Sequence, residues 1–313
     1  MVRKGLCILL AVWMLLIPLA AVGEGHVFAV SETTPFSEDA AVLTVWAAPL
    51  HKADCTLITL GELSILVDSG TPQDVPAVHA MLRAAGVDHI DIFFNSHPHI
   101  DHLGGFIILA EEGFPFGEFI TVFPEEESGI ASQQISAMRT AKERNIPVVT
   151  MKSGDSIPFG DAELTVYRVP DDRITNQMST NDLSAMLMVR YGDCSILLTG
   201  DVELPAQAVL AETCHLKADI LKYPHHGLAV MNDDFLREIN PGYVFITCNS
   251  IRSLFGQKML RDNGYHRVSF TTWGMISMRT DGTKWIVSQD VDPDLSWYCS
   301  WFLNVNQWIQ PIS

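Results

Sequence analysis

The sequence predicts an α/β fold in which two β-sheets lie face to face with helices packed outside them. Three observations lead there. Short β-rich runs bounded by turn residues recur along the chain, segments with helical spacing interleave with them, and the strands outnumber the helices while still alternating with them. Of the 313 residues, 48% are apolar, enough for a sizeable core. No repeat, low-complexity tract or Pro/Gly/Ser linker divides residues 40–290, which are read as one domain.

In chain order, strands are expected at 43–49, 55–61 and 64–70, each a short β-branched or leucine-rich run. A helix follows at 75–85, with Ala77, Met81 and Ala84 or Ala85 spaced for one face. Ile90–Asn95 reads as a buried strand, followed by a strand at 118–124, a helix at 131–145 and a strand at 147–151. Residues 155–170 read as a strand pair turned at Phe159-Gly160-Asp161, and 184–201 as a hairpin turned at Tyr191-Gly192-Asp193. A helix at 204–214, strands at 219–224 and 242–249, a helix at 253–265 and paired strands over 271–289 complete the domain. Residues 291–313, with Trp297, Tyr298, Trp301, Phe302 and Trp308, form an aromatic extension expected to pack over it.

The amino terminus is set apart from the fold. Arg3 and Lys4 precede an apolar run, Leu6–Val22, that ends in small residues, the layout of a secretory signal over 1–23. The run is also long enough to stay as an uncleaved anchor, so the expected location is secreted or extracytoplasmic, with membrane contact only through this segment. Its removal takes two positive charges and moves the formal charge from −17 to −19. A chain that acidic, with scattered basic residues, is poorly suited to hold long polyanions. The five cysteines beyond the signal (Cys55, Cys194, Cys214, Cys248, Cys299) have no C-x-x-C spacing and read as buried small apolar residues rather than disulfide or zinc ligands.

The chemistry concentrates in Ser96–Gly105, where His97, His99, Asp101 and His102 fall within six positions. Were the segment extended, His97 and His99 would face one cavity and Asp101 and His102 a neighbouring one. Neutral imidazoles with carboxylates suit Zn(II), Mn(II) or Fe(II). A loop at the carboxyl end of a strand is where α/β architectures build their sites.

His97-Pro98-His99-Ile100-Asp101-His102, with Gly104-Gly105 behind it, resembles the H-x-H-x-D-H signature of the metallo-β-lactamase fold. Within that superfamily the chain is most similar to the metallohydrolase domain of the competence protein ComEC and to secreted phosphorylcholine esterases, over about Leu43–Ser288. The resemblance implies an αββα four-layer sandwich and two divalent ions, Zn(II) or Mn(II). Leu66-Val67-Asp68-Ser69-Gly70 resembles the strand end whose carboxylate supports the metal site from behind, and implies that role for Asp68. Ser153-Gly154-Asp155 through Asp161 and Asn181-Asp182-Leu183-Ser184 resemble two further family patterns, and Thr272-Trp273-Gly274 the closing one, with tryptophan in place of an aspartate. Leu198-Thr199-Gly200-Asp201 resembles "LTGD", implying that Asp201 bridges the ions through its two oxygens and holds them ~3.5–4 Å apart. Leu221–Gly227 resembles "LK-x-x-HHG", in which either His225 or His226 is the ligand and the other a proton donor or substrate contact.

The departures are specific. No histidine occurs from Leu103 to Cys214, so the first ion lacks one imidazole and is left to water or to an oxygen donor such as Asn181. The family's "GQGD" is replaced by His51-Lys52-Ala53-Asp54, and Leu228 stands where a serine follows HHG. His51, His79, His89, His215 and His266 read as surface residues, and Glu125-Glu126-Glu127 as a solvated loop near the cleft rim.

The expectation is an exported hydrolase that uses a metal-activated water, with Asp101, Asp201 and His226 in catalytic roles. Its implied substrate is a small or envelope-attached phosphodiester. An extracellular nuclease is the second reading, disfavoured by charge; a lactonase or β-lactamase is the third, disfavoured by the missing histidine. A binding protein that keeps the fold without catalysis is the reading from another class. The oligomeric state is not readable from the sequence.

Overall fold

The first sheet runs β1 (Phe28–Ala29), β16 (Trp285–Val291), β15 (Gly274–Thr280), β2 (Leu43–Ala47), β3 (Thr56–Leu60), β4 (Leu63–Val67), β5 (Ile90–Phe94), β6 (Phe116–Thr121) and β7 (Val148–Thr150). The second runs β14 (Val268–Phe270), β13 (Tyr243–Ile246), β12 (Ile220–Lys222), β11 (Cys194–Leu198), β10 (Met186–Tyr191), β9 (Ala162–Tyr167) and β8 (Ser156–Phe159). This computed structural model describes residues 28–29, 36–37, 39–123 and 132–310; the signal segment and residues 125–127 lie outside the described residues.

Strand alternation makes the layers. In β4, Ile65 and Val67 face the second sheet while Leu66 faces outward; in β10, Leu187 and Val189 face inward while Met186 and Met188 face out. Both faces of both sheets are therefore apolar, which is why these strands read as nearly continuous hydrophobic runs. Helices α1 (Val75–Ala85), α2 (Ile100–Glu111) and α3 (Ser132–Glu143) cover the first sheet, with Met81, Phe106 and Ala137 packed among Leu57, Phe93 and Phe119. Helices α4 (Leu204–Thr213), α5 (Asp233–Ile239), α6 (Leu254–Asp262) and α7 (Ser296–Val305) cover the second, through Leu210, Phe235, Leu260 and Phe302. The result is the αββα sandwich expected.

Several elements differ from expectation. The buried face of α1 is Val75, Val78, Met81 and Leu82, with Ala77 and Ala85 partly buried beside it, so of the two alternatives Ala85 packs on the core and Ala84 points to solvent. Helices α2 and α5 and strand β14 are elements that the sequence reading did not separate out, and the aromatic extension contains the helix α7. Within it Cys299, Phe302 and Ile309 are buried, with the Phe302 ring on Phe270 and Trp273, whereas Trp297 and Trp301 are 70% and 54% exposed. Among the described residues, no helix is long and apolar enough to cross a membrane.

Strands β4 to β7 are mutually parallel, as are β11 to β14. Their carboxyl ends share one edge of the sandwich, and Asp68, His97, Asp201 and His225 all follow such ends. One close contact fixes the depth at which α2 sits there. A Cβ at Gly105 would lie 2.0 Å from the Ser69 carbonyl oxygen, so only glycine lets the helix approach the β4 end, where Ser69 N–H donates to the His102 carbonyl at 2.7 Å. Gly105→Ala should push α2 off the sheet and lower stability by about 2 kcal/mol or more, because the clash is with backbone. Urea denaturation checks this; a loss under about 0.5 kcal/mol would contradict the packing described.

Candidate metal centre

After β5 the chain turns through Ser96 and His97 into α2, with His99 as the residue capping the helix and Asp101 and His102 in its first turn. The extended geometry expected for His97 and His99 holds up to His99, and it is the first turn of the helix that directs Asp101 and His102 just beyond. His97 Nε2 and His99 Nδ1 lie 3.0 Å apart, as side chains sharing one cavity.

The four nitrogens that matter converge on one atom. Asp201 Oδ2 lies 3.3 Å from His102 Nε2, 3.3 Å from His226 Nε2, 3.9 Å from His97 Nε2 and 4.0 Å from His225 Nε2. The other oxygen, Oδ1, turns to Lys222 Nζ at 3.5 Å. One Asp201 oxygen thus faces the imidazoles and the other faces an ammonium.

The sequence places His225 and His226 in a tight turn between Pro224 and Gly227. Both histidines are left-handed, with φ of 48° and 53°, a conformation that costs β-carbon-bearing residues free energy and clusters at functional sites. The turn is tied down by His225 N–H donating to the Gly200 carbonyl at 3.2 Å and Leu228 N–H donating to the His225 carbonyl at 2.9 Å. As a result the two rings diverge. His226 is fully buried, its Nε2 facing Asp201 and, at 3.6 Å, Asp101 Oδ2. His225 is partly open to solvent, and its Nδ1 stands 3.0 Å from Glu203 Oε1.

Carboxylates behind the rings fix which nitrogen faces the centre. Asp68, left-handed at φ 55°, accepts from Asn95 Nδ2 (3.0 Å), Ser96 N–H (2.8 Å), Ser96 Oγ (2.6 Å) and His102 Nδ1 (2.8 Å). With Nδ1 so engaged, the Nε2 edge of His102 is the one turned to Asp201. For His226 the Nδ1 edge is engaged by Thr247 Oγ1 at 3.0 Å, with Asp54 Oδ1 3.1 Å away as an ion-pair partner. Asp54 Oδ2 forms a close ion pair with Lys222 Nζ, which also donates to the Gly200 carbonyl at 2.8 Å.

Asp54, His102, Asp201 and His226 form a buried group with ligand-capable atoms all within 4.8 Å of one another. Two atoms test whether that group fits a cation. His102 Nε2 and His226 Nε2 are buried without a hydrogen-bond partner although each is 3.3 Å from Asp201 Oδ2. Buried nitrogens left unpaired beside carboxylates are costly unless something positive sits between them. Imidazole and carboxylate donors with no thiolate among them suit Zn(II), Mn(II) or Fe(II).

The electrostatics of the metal-free protein agree. Burial lowers the His102 pKa, but the Asp201, Asp68 and Asp54 carboxylates together outweigh it and raise it to about 10. His226 is likewise raised well above the ordinary value, burial being overcome by Asp201 and Asp54. His97, for which burial dominates and His102 adds repulsion, is held well below it, and His225 is lowered chiefly by burial. Asp54 and Asp201 are lowered: burial opposes this, and Lys222 with His226 and His102 overcomes it. Asp101 is lowered against burial by His226 and His102.

The structure brings together His97, His99, Asp101, His102, Asp201, His225 and His226, with Asp68 behind His102. Asn181 Nδ2 donates to Glu203 Oε1 at 3.1 Å, and Glu203 Oε1 stands 3.0 Å from His225 Nδ1, while the Asn181 Oδ1 that was expected to act as an oxygen donor is buried without a hydrogen-bond partner. His51, His79, His89, His215 and His266 are not part of the cluster; His79 and His89 pair with Glu112 and Asp88 at the surface. The sequence reading passed over Asp54, Lys222, Glu203 and Thr247. Asp54 was visible as the last residue of the altered "GQGD", whose aspartate is retained, and Lys222 as the lysine of "LK-x-x-HHG". Glu203 and Thr247 carry no sequence signal of their own.

A family model described as the metallo-β-lactamase superfamily matches residues 49–245. Among solved structures, similarity extends to a metallo-β-lactamase with a HARLDQ motif from Cronobacter sakazakii (18% identity, 56% of this chain and 73% of that one, TM-score 0.39). It also extends to the metallo-β-lactamase fold protein YhfI from Bacillus subtilis (11%, 73% and 96%, TM-score 0.48). A third is CmlA, a diiron β-hydroxylase from Streptomyces venezuelae (12%, 79% and 55%, TM-score 0.49). A search of the curated proteins finds no match.

The pKa directions carry a sign that can be measured. A divalent ion at His102 and His226 competes with the protons that their raised pKa values favour, so binding should release protons and tighten as pH rises toward the His102 value of about 10. Without metal, the stability contributed by charged His102 is present below pH 6.5 and is lost as pH climbs through about 10. Calorimetric titration with Zn(II) in buffers of different ionisation enthalpy reads the proton count; no release would contradict these protonation states.

Proposed function

Because the chain belongs to the metallo-β-lactamase superfamily of metal-dependent hydrolases, we propose that it hydrolyses a phosphodiester outside the cytoplasm, with two divalent ions held around Asp201. The observation that carries the reading is the convergence of four imidazole nitrogens within 4.0 Å of Asp201 Oδ2, two of them buried and unpaired. His97, His99 and Asp201 would hold one ion, and Asp101, His102, His226 and Asp201 the other. His225 then takes the place of the imidazole missing between Leu103 and Cys214, kept turned inward by Glu203. Zn(II) and Mn(II) both suit this donor set.

The chemistry that divalent ions held by these residues would supply is a lowered pKa of bound water, from ~15.7 toward ~7, and neutralisation of charge on phosphoryl oxygens. The remaining work belongs to the chain's own groups. Asp101 Oδ2, 3.6 Å from both His226 Nε2 and Lys52 Nζ, can accept a hydrogen bond from the attacking water and hold it in line. Lys52, 43% exposed at the mouth of the site, can meet a phosphoryl oxygen of the incoming substrate. Lys222 is different: enclosed by Asp54, Asp201 and the Gly200 carbonyl, it cannot touch substrate and serves to aim Asp201.

The phosphodiester reading is supported by the LTGD and LK-x-x-HHG resemblances, shared with ComEC and the phosphorylcholine esterases. Export is supported by Arg3, Lys4 and the apolar run behind them. The formal charge of −17 favours a small or envelope-attached diester over a polynucleotide.

Wild type and Asp201→Ala, each supplied with Mn(II) or Zn(II), should be compared on chromogenic phosphodiesters, single-stranded DNA, lactones and cephalosporins. Diester cleavage that falls more than about 10³-fold in the variant is the expected result. Unchanged activity would overturn the role of Asp201, and turnover of lactone or cephalosporin alone would overturn the substrate class.

A further inference from the structure

A second cavity opens on the same edge of the sandwich, between the carboxyl ends of β6, β7 and β9. It has a volume of about 420 Å³ and is lined by Val122, Met151, Lys152, Ser153, Arg168 and Asp171 among others. Strand β9, like β11, is antiparallel to β10, so its carboxyl end lies on the side where Asp201 follows β11. On the first sheet, β6 is the neighbour of β5, which delivers His97. At ~4.8 Å per strand, the cavity sits about two strands, or ~10 Å, along the cleft from the metal centre.

Among the described residues that line it are two cations, Lys152 and Arg168, and one carboxylate, Asp171, in a chain whose formal balance is −17. Arg168 is 9% exposed; its Nη1 donates to the Val122 carbonyl at 2.9 Å, and its Nε is buried with no hydrogen-bond partner. Among the described residues the carboxylate paired with it, on the 85% exposed side chain of Asp171, stands 3.9 Å from Nη2, beyond hydrogen-bonding range. Lys152 is exposed at the rim and makes no ion pair among the described residues. With Nη1 committed to Val122, the free donors are Nε and Nη2, the side edge of the guanidinium, which matches two oxygens of a carboxylate or phosphate. A buried guanidinium whose Nε donor is unsatisfied and whose counter-ion is 3.9 Å away and mostly in solvent is unfavourable, and a bound oxyanion would reduce that penalty.

We infer that this cavity binds an oxyanion, a carboxylate or phosphate carried by the substrate about 10 Å from the phosphorus that is attacked. The inference deepens the phosphodiesterase reading and rests on it. Arg168 grips the oxyanion side-on and Lys152 closes over it. The preferred substrate is thus a small diester with a second negative charge at one end, which the acidic surface would otherwise repel.

Two arms test this separately from the hydrolase reading. The first compares p-nitrophenyl diesters that end in a carboxylate, a phosphate or a neutral amide. Wild type should favour the anionic tails through KM, and the ratio of kcat/KM between anionic and neutral tails should fall about tenfold or more in Lys152→Ala and in Arg168→Gln. Because it is a ratio within one preparation, it does not depend on how much of a variant is folded. The second arm titrates inorganic phosphate into chelator-treated protein, where the metal centre cannot contribute; wild type should bind and both variants should bind at least about tenfold more weakly. If no diester is cleaved, the substrate reading falls while the phosphate titration still decides the cavity. An unchanged ratio with diesters being cleaved, or phosphate binding equal in all three proteins, would overturn the inference.

Discussion

One carboxylate oxygen organises the site. Asp201 Oδ2 is the point that imidazoles from two distant parts of the chain share, and it is free to be so because Oδ1 is turned to Lys222. That division of labour reaches back into the fold. The Gly200 carbonyl accepts both the Lys222 ammonium and the His225 N–H. The turn after β11 and the turn after β12 are therefore locked to each other. A shift in either would move Asp201 and both histidines together.

Burying so many charges is unfavourable unless they are arranged in compensating pairs. The arrangement here is layered. Asp54 meets Lys222 and His226, Asp68 collects four donors around His102, and the unpaired nitrogens face inward. Without metal, the raised pKa values of His102 and His226 let protons occupy the place that cations fit. The polar interior is thus preorganised by residues that need not touch an ion, which is what precise positioning of ligands requires.

Much of this was legible because the fold writes its site in short contiguous motifs at strand ends. His97, His99, Asp101 and His102 lie in one stretch, and a Gly-Asp following an apolar strand is distinctive. The alternation of inward and outward residues, and the 75–85 helix, could likewise be read from local patterns. What could not be read depends on contacts between distant segments. Helix α2 carries Gly104 and Gly105, poor helix formers tolerated because Pro72 against the first and the Ser69 carbonyl against the second leave room for nothing larger. Helix α5 spans only Asp233–Ile239 and is defined by its Asn232 cap, which accepts from Asp234 and Phe235 N–H groups. Asp54 was hidden by the change of the three residues before it, although the aspartate itself stands. The left-handed pair His225-His226 has no signature in composition, and its consequence, one ring buried and one half-open, appears only in three dimensions.

The central claim is that Asp201 is the shared vertex of two cation sites. Anomalous diffraction from crystals grown with Mn(II) tests it most directly. The account predicts two peaks flanking the Asp201 carboxylate, one against His97 and His99 and the other against Asp101, His102 and His226. A single peak away from Asp201, or none, would contradict it.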